Sequence, residues 1–147
     1  MNLCGMKTIS LFVSTLFIMS LVNAQSDSWK IFHNDKLLLN ATVENEAKNL
    51  LQIKRSEFDK SGQLTIEYKE ESPTEDWQRT IAIVDVRDST LFENTGSNTV
   101  NISNATMKDL ITNRDKIKIY TWSLPKDPGK AALVRIRRTH LCTIEIN

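Results

Sequence analysis

Apolar and polar side chains alternate with a period of two over much of the chain after residue 25. The alternation is clearest at residues 64–69, where Leu64, Ile66 and Tyr68 fall on one face and polar residues fall on the other. A period of two is typical of a β-strand that buries one face. Polar turns, such as residues 33–36, separate these stretches. The pattern therefore predicts a mainly β fold.

About seven strands fit this pattern, and they are expected at residues 29–32, 37–43, 49–58, 64–69, 79–86, 116–124 and 131–146. One short helix is also expected, beginning at Ser103 or Asn104, which can cap it, and ending near Asn113. Several strands joined by close turns favour an antiparallel β-sandwich. A helix packed on one curved sheet is the alternative architecture.

Two regions are less regular than the rest. Residues 44–58 fit helical spacing only in part, and we prefer a strand over residues 49–58 because the alternating strand that follows needs a partner. Residues 88–100 are polar and predict a long loop. That loop contains Phe92, which either anchors it on the sheet edge or contacts a binding partner.

The first 24 residues have the three parts of a secretory signal peptide. Lys7 precedes an apolar stretch at residues 11–22, and small residues mark a cleavage point after Ala24. A membrane anchor is the alternative, but a spanning helix needs about 20 apolar residues and this stretch is shorter. Met6, next to Lys7, is a more natural start than Met1.

We therefore expect a secreted or periplasmic protein in which residues 25–147 form one β-sandwich-like domain, with no membrane span after cleavage. The full chain has 19 basic and 18 acidic residues, a net charge of +1. So small an excess gives no reason to expect nucleic acid or an anionic membrane as a partner. Cys4 is removed with the signal peptide, which leaves Cys142 as a single thiol and predicts no internal disulfide.

His140 and Cys142 are the most distinctive pair in the chain, because alternation on the last predicted strand places both on one face. They could bind a soft metal together with His33 or Met107, or act as a base and a thiol nucleophile. The other interpretation is a core cysteine beside a hydrogen-bonded histidine. No glycine-rich oxyanion loop follows Cys142, which argues against cysteine catalysis. The sequence also has no acid pair, phosphate-binding loop or dinucleotide motif, so we expect neither an enzyme nor a cofactor.

Binding residues are expected on loops and on one basic strand face. Arg135 and Arg137 would share a face and could hold a carboxylate, a phosphate or an acidic partner, unless they merely pair with Glu67 or Glu70 across the sheet. Trp77 follows a run of polar residues and is the tryptophan most favoured for exposure.

In this hypothesis Trp77, Phe92 and Arg137 lie near one rim of the sandwich and contact a partner. The sequence as a whole favours an exported, non-catalytic β-sandwich that binds a protein or small ligand or has a structural role. The alternative is a small metal-binding or thiol-dependent protein that uses His140 and Cys142.

Overall fold

The structure is a computed structural model and describes residues 26–147, which contain nine strands. The strands are β1 (Ser28–His33), β2 (Lys36–Ala41), β3 (Leu50–Ile53), β4 (Gln63–Lys69), β5 (Trp77–Val84), β6 (Thr90–Thr95), β7 (Thr99–Ser103), β8 (Lys116–Pro125) and β9 (Thr139–Ile146). The helical elements in the same range are the 3₁₀ helix Arg55–Asp59, α1 (Asn104–Leu110) and α2 (Pro128–Ala131).

The strands form two sheets. The four-stranded sheet has the order β2-β1-β4-β7, and the five-stranded sheet has the order β3-β9-β8-β5-β6. Neighbouring strands run antiparallel, apart from β3 and β9, which are parallel. β9, the last strand of the sequence, therefore lies between β8 and β3, although β3 is far from it in sequence.

The inner faces of both sheets contribute to one hydrophobic core. Ile31 and Ile66 come from the four-stranded sheet, and Ile83 and Ile119 come from the five-stranded sheet; all four are fully buried. Burying each such side chain contributes roughly 1.5–3 kcal/mol. The indole Nε1 of Trp29 donates to the carbonyl oxygen of Leu141 at 3.0 Å, which links the two sheets directly. The predicted mainly β, sandwich-like fold is confirmed.

The predicted helix also forms, and its start follows from capping chemistry. The side chain of Ser103 accepts a hydrogen bond from the backbone N–H of Thr106, which satisfies one of the free donors at the helix start. The helix ends at Leu110, three residues before the predicted end, and Asn113 lies beyond it with a φ of 58°. The side chains of Met107 and Ile111 are buried in the core.

The predicted long loop at residues 88–100 is wrong, because β6 and the first two residues of β7 occupy it. Gly96, with a φ of 96°, turns the chain between them. Both strands are mostly polar. Each is an edge strand of its sheet, so one of its two edges has no neighbouring strand and faces solvent. In β7 only Val100 and Ile102 face the core, which is too short an alternation to stand out in sequence.

The predicted strand at residues 49–58 is wrong in its second half. Hydrogen bonding to β9 ends at Ile53, and the chain then turns into the 3₁₀ helix. Phe58 lies on that helix and is buried, so it contributes to the core from a helical turn. The side chain of Arg55 donates to the carbonyl oxygens of Ile111 and Arg114, which ties the 3₁₀ helix to the end of α1.

The predicted strand at residues 131–146 begins only at Thr139. The carboxylate of Asp127 accepts hydrogen bonds from the backbone N–H groups of Gly129 and Lys130, and this cap starts α2. Residues 132–138 then run to β9 without forming a strand. The two extra edge strands bring the count to nine instead of about seven.

Candidate functional site

The connection between β8 and β9, residues 126–138, is called here the basic segment. It carries five cationic side chains and one carboxylate: Lys126, Lys130, Arg135, Arg137, Arg138 and Asp127. Its net charge is therefore +4, although the whole chain is nearly neutral. The segment is tied down at its start, where the backbone N–H of Lys126 donates to the carbonyl oxygen of Asp76 at 2.7 Å.

Arg138 anchors the other end of the basic segment. Its Nη1 and Nη2 donate to the two carboxylate oxygens of Asp88 at 2.9 and 2.7 Å. The guanidinium also lies 4.1 Å from the ring centroid of Tyr120, on the outer face of β8. The hydrogen bonds to Arg138 lower the pKa of Asp88, and the same contact raises the pKa of Arg138. This contact is a bidentate pair of charge-assisted hydrogen bonds, which are stronger than hydrogen bonds between neutral groups.

The middle of the basic segment presents apolar side chains to solvent. Leu133 is 88% exposed and Ile136 is 52% exposed. Arg135 lies between them and is exposed, and the side chain of Arg137 is 87% exposed, with its Nη2 3.8 Å from Glu44. Single exposed apolar residues are common on proteins, but here two of them alternate with cations on one short, anchored stretch.

The placement of Arg135 and Arg137 differs from the prediction. They lie in the irregular part of the basic segment, not on a strand face, because α2 and its Asp127 cap interrupt the chain before β9 begins. Glu70, one of the expected partners, instead forms an ion pair with Arg79 at 2.7 Å.

Trp77 and Phe92 do not share a rim. Trp77 is the first residue of β5, at one end of the sheet, and is 37% exposed. Phe92 pairs with Ile83, six residues further along β5, which corresponds to about 20 Å along a strand. Phe92 is also partly buried against the core. The predicted cluster of Trp77, Phe92 and Arg137 is therefore wrong as a single surface.

His140 and Cys142 point to opposite faces of the sheet, so the prediction that they point the same way is wrong. Cys142 pairs with Ile119 and His140 pairs with Tyr120, while Leu141 is skipped in the register. Ile119 and Tyr120 are neighbours on β8 and face opposite sides, and cross-strand partners share a side. This β-bulge, one extra residue in β9, reverses the alternation that the sequence indicates.

His140 is fully buried beside the anchor of the basic segment. Its Nε2 lies 2.9 Å from the hydroxyl of Thr143, and its ring meets the ring of Tyr120 edge-on at 5.5 Å. Its backbone N–H donates to a carboxylate oxygen of Glu44 at 2.8 Å. Burial lowers the pKa of His140, which keeps the ring neutral. Its Nδ1 has no hydrogen-bond partner among the described residues.

Cys142 lies in the core, where burial raises the pKa of its thiol far above the ordinary range. A thiol in this environment is a packing group and not a thiolate at neutral pH. Within residues 26–147 no group of three or more histidine, cysteine, aspartate or glutamate side chains is placed to hold a metal ion. Cys142 is the single cysteine of that range, so no disulfide forms within it.

The sequence singled out Arg135 and Arg137 but missed the contact that positions them. Arg138 was visible as part of a basic cluster, and Tyr120 as part of a strand face. The contact of Arg138 with Asp88 joins positions 50 residues apart, and no local pattern indicates such a pairing.

No helix among residues 26–147 has the length and apolar character needed to cross a membrane. Comparison with protein-family models finds no match for this chain, and comparison with curated proteins also finds none.

Proposed function

We propose that this protein is an exported, non-catalytic β-sandwich that binds an acidic partner protein through the basic segment. One observation carries the proposal: Leu133 and Ile136 are exposed between cationic side chains, on a segment fixed at both ends. The export part of the proposal rests on the signal-peptide features of residues 1–24, which lie outside the described residues.

The chemistry of the exposed side chains favours a protein partner. Apolar side chains contribute affinity when a partner desolvates them, and arginine is enriched at the energetic centres of protein interfaces. Arg135 and Arg137 add charge complementarity to a carboxylate-bearing surface. Because Arg138 and Lys126 already hold the ends of the segment, less conformational entropy is lost on binding.

The test uses residues 25–147 as bait for the exported proteins of the source cells, followed by binding measurements with the purified captured protein. Two double variants are compared with the unchanged chain: Leu133→Ser with Ile136→Ser, and Arg135→Gln with Arg137→Gln. A matched control, Lys30→Gln with Lys69→Gln, removes two exposed charges from the four-stranded sheet. We expect each segment variant to weaken binding at least tenfold, and the control to bind like the unchanged chain.

Thermal melting of all variants should stay close to that of the unchanged chain, because the substituted residues are exposed. Equal binding by the segment variants and the control contradicts the proposal. A second contradiction would be binding to vesicles of anionic phospholipid that depends on Leu133 and Arg135 when no protein is captured. That result would make the segment a membrane contact.

A further inference from the structure

A second candidate site lies beside β2 and β3, the edge strands opposite β7 and β6 in their sheets. It is separate from the basic segment. A cavity of about 550 Å³ opens between the β1–β2 turn, the end of β3 and the 3₁₀ helix. Its walls include the ring of His33, the apolar side chains Leu38 and Ile53, and three lysines. The volume is in the range of small-molecule sites in proteins.

The cavity is rich in positive charge. Lys36, Lys54 and Lys60 line it, and Glu57 is the one carboxylate among its lining residues. Lys60 holds that carboxylate, with its Nζ 2.9 and 3.0 Å from the two oxygens. This hydrogen bond lowers the pKa of Glu57, which favours the ionised carboxylate. The carboxylate already has Lys60 as its partner. Lys36 and Lys54 form no ion pair with a carboxylate in the described part of the chain, although the charge of Lys54 also helps to lower the pKa of Glu57.

A buried hydrogen-bond network fixes the wall that carries His33. The amide Nδ2 of Asn104, a residue only 1% exposed, donates to the carbonyl oxygens of Lys60 and Glu57 at 2.9 and 3.3 Å. It also donates to the side-chain oxygen of Asn34 at 2.9 Å. Carbonyl oxygens only accept, so the Nδ2 of Asn104 must face them and its Oδ1 must face His33.

This orientation assigns the tautomer of His33. Its Nε2 lies 3.0 Å from the Oδ1 of Asn104 and must donate to it, so the neutral ring carries its hydrogen on Nε2. The ring also packs against Phe58, with centroids 4.7 Å apart. The ring is held rigidly, as a binding wall requires.

Gly62 allows the same wall to close. Its φ is 145°, and a Cβ atom there would collide with the side-chain oxygen of Asn34. The backbone oxygen of Gly62 accepts from the N–H of Asn104, and the N–H of Asn34 donates to the oxygen of Gln63. The β1–β2 turn and the start of α1 are therefore joined at this point by several hydrogen bonds.

We propose that this cavity binds a small organic anion, with its charged group bound by Lys36 and Lys54 and its apolar body in contact with Leu38 and Ile53. The combination of apolar walls with a few placed polar groups is typical of small-molecule sites. Unpaired lysines supply the charge that an anion requires. The site is independent of the basic segment, so either proposal can fail while the other stands.

The test is an NMR titration of residues 25–147 with hexanoate, a carboxylate with an apolar chain, and with the neutral analogue hexan-1-ol. Hexanoate should give saturable shifts at the backbone amides of Lys36, Ile53 and Lys54, and hexan-1-ol should bind at least tenfold more weakly. The double variant Lys36→Gln with Lys54→Gln should weaken hexanoate binding at least tenfold. Lys48→Gln, which removes an exposed charge outside the cavity, should leave it unchanged.

The absence of saturable shifts at the cavity overturns the proposal, as does equal affinity in the double variant and the Lys48→Gln control. If hexan-1-ol binds as tightly as hexanoate, the proposed role of the two lysines in binding the negative charge is overturned. Well-dispersed spectra of each variant show that the chain still folds. A long-range ¹H–¹⁵N spectrum of the free protein should show a hydrogen on Nε2 of His33, and a ring with its hydrogen on Nδ1 alone would contradict the wall as described.

Discussion

Cys142 pairs with Ile119 in the interior of the sandwich, and its side chain has no exposed surface. A thiol reacts as the thiolate, and burial opposes formation of that charge. The histidine two positions away lies on the other face of the sheet, so it cannot accept the thiol proton. At this scale the local environment accounts for Cys142 as a small core residue.

A thiol reagent should therefore label Cys142 slowly in the folded protein and rapidly in denaturant. Cys142→Ala should lower the free energy of unfolding by an amount on the order of 1 kcal/mol, because it removes a small buried group. Labelling rates are followed by mass spectrometry, and stability is followed by urea unfolding. Rapid labelling of the native protein would show that the thiol is accessible and would contradict this account.

Residue types alone predicted which positions are charged or buried. They predicted less well which face of the sheet a side chain points to. Cys142 is buried as one interpretation of the sequence required, and Arg135 and Arg137 are exposed cations. The direction of His140 relative to Cys142 was wrong because one extra residue, Leu141, shifts the register. A β-bulge depends on how two distant strands fit, and alternation within one strand does not reveal it.

At the scale of elements, the last strand and the basic segment before it behave as different structures. Ile144 belongs to β9 and is fully buried, while Ile136 lies in the basic segment and is 52% exposed. Both would face the same side if residues 131–146 formed one strand, since they are an even number of positions apart. The two isoleucine side chains should therefore contribute very different amounts to the free energy of unfolding.

Ile144→Ala should lower the free energy of unfolding by about 2–5 kcal/mol, because it leaves a cavity in the core. Ile136→Ala is the matched control and should change it by no more than about 0.5 kcal/mol. Urea unfolding of the two variants measures both values under the same conditions. Similar losses in the two variants would favour a single continuous strand and contradict the observed start of β9.

The contact between Arg138 and Asp88 gives the basic segment its fixed end and a pH dependence. The pKa of Asp88 is lowered in the folded chain by its hydrogen bonds to Arg138. The contact therefore stabilises the folded state fully above the ordinary pKa of the carboxyl, and this contribution is lost as the pH falls through the lowered value. Protonation of Asp88 removes the acceptor charge, and the segment loses its anchor.

In Arg138→Gln the pKa of Asp88 should return toward its ordinary value, and the segment should become easier to cleave. An NMR titration of the Asp88 carboxyl measures the first effect, and thermolysin cleavage near Leu133 measures the second. Arg135→Gln, on the same segment, is the control and should change neither, because Arg135 does not contact Asp88 in the structure. An unchanged titration in Arg138→Gln would show that something other than this arginine lowers the pKa.

The elements that alternation predicted well are those with one fully buried face. The strand predicted at residues 64–69 corresponds to β4, where Leu64, Ile66 and Tyr68 are buried. The edge strands β6 and β7 were missed because most of their side chains are polar and their pairing partners are distant in sequence. Residues 131–138 of the basic segment were predicted as part of the last strand because alternation continues past the point where pairing with β8 ends.

At the scale of the whole molecule, the sandwich places its two candidate sites on separate parts of the surface. The basic segment lies between β8 and β9, and the cavity lies beside β2 and β3. Neither site could be predicted from sequence alone, because Arg138 and Asp88 are 50 residues apart and His33 and Asn104 are 71 residues apart. Composition did indicate a chain able to build one core.

Export is the prediction that concerns the complete chain. In the source cell, N-terminal sequencing of the exported protein should begin at Gln25, because cleavage is expected after Ala24. Replacing Ala24 with a bulky residue should slow processing, whereas the same change at Ala47 should not. A final product that retains residues 11–22 would contradict the export proposal.

The buried amide of Asn104 has a consequence for the cell in which the protein is made. Asn104, Ala105 and Thr106 form an acceptor sequence for N-linked glycans. A glycan attached to Nδ2 before folding would occupy the atom that donates to Lys60, Glu57 and Asn34, in a space without room for a sugar. Chains modified at Asn104 in a eukaryotic secretory pathway should therefore misfold and be retained, and Thr106→Ala should restore secretion, as measured by immunoblot of the medium. Equal secretion of a chain with a glycan at Asn104 would show that this side chain is not enclosed.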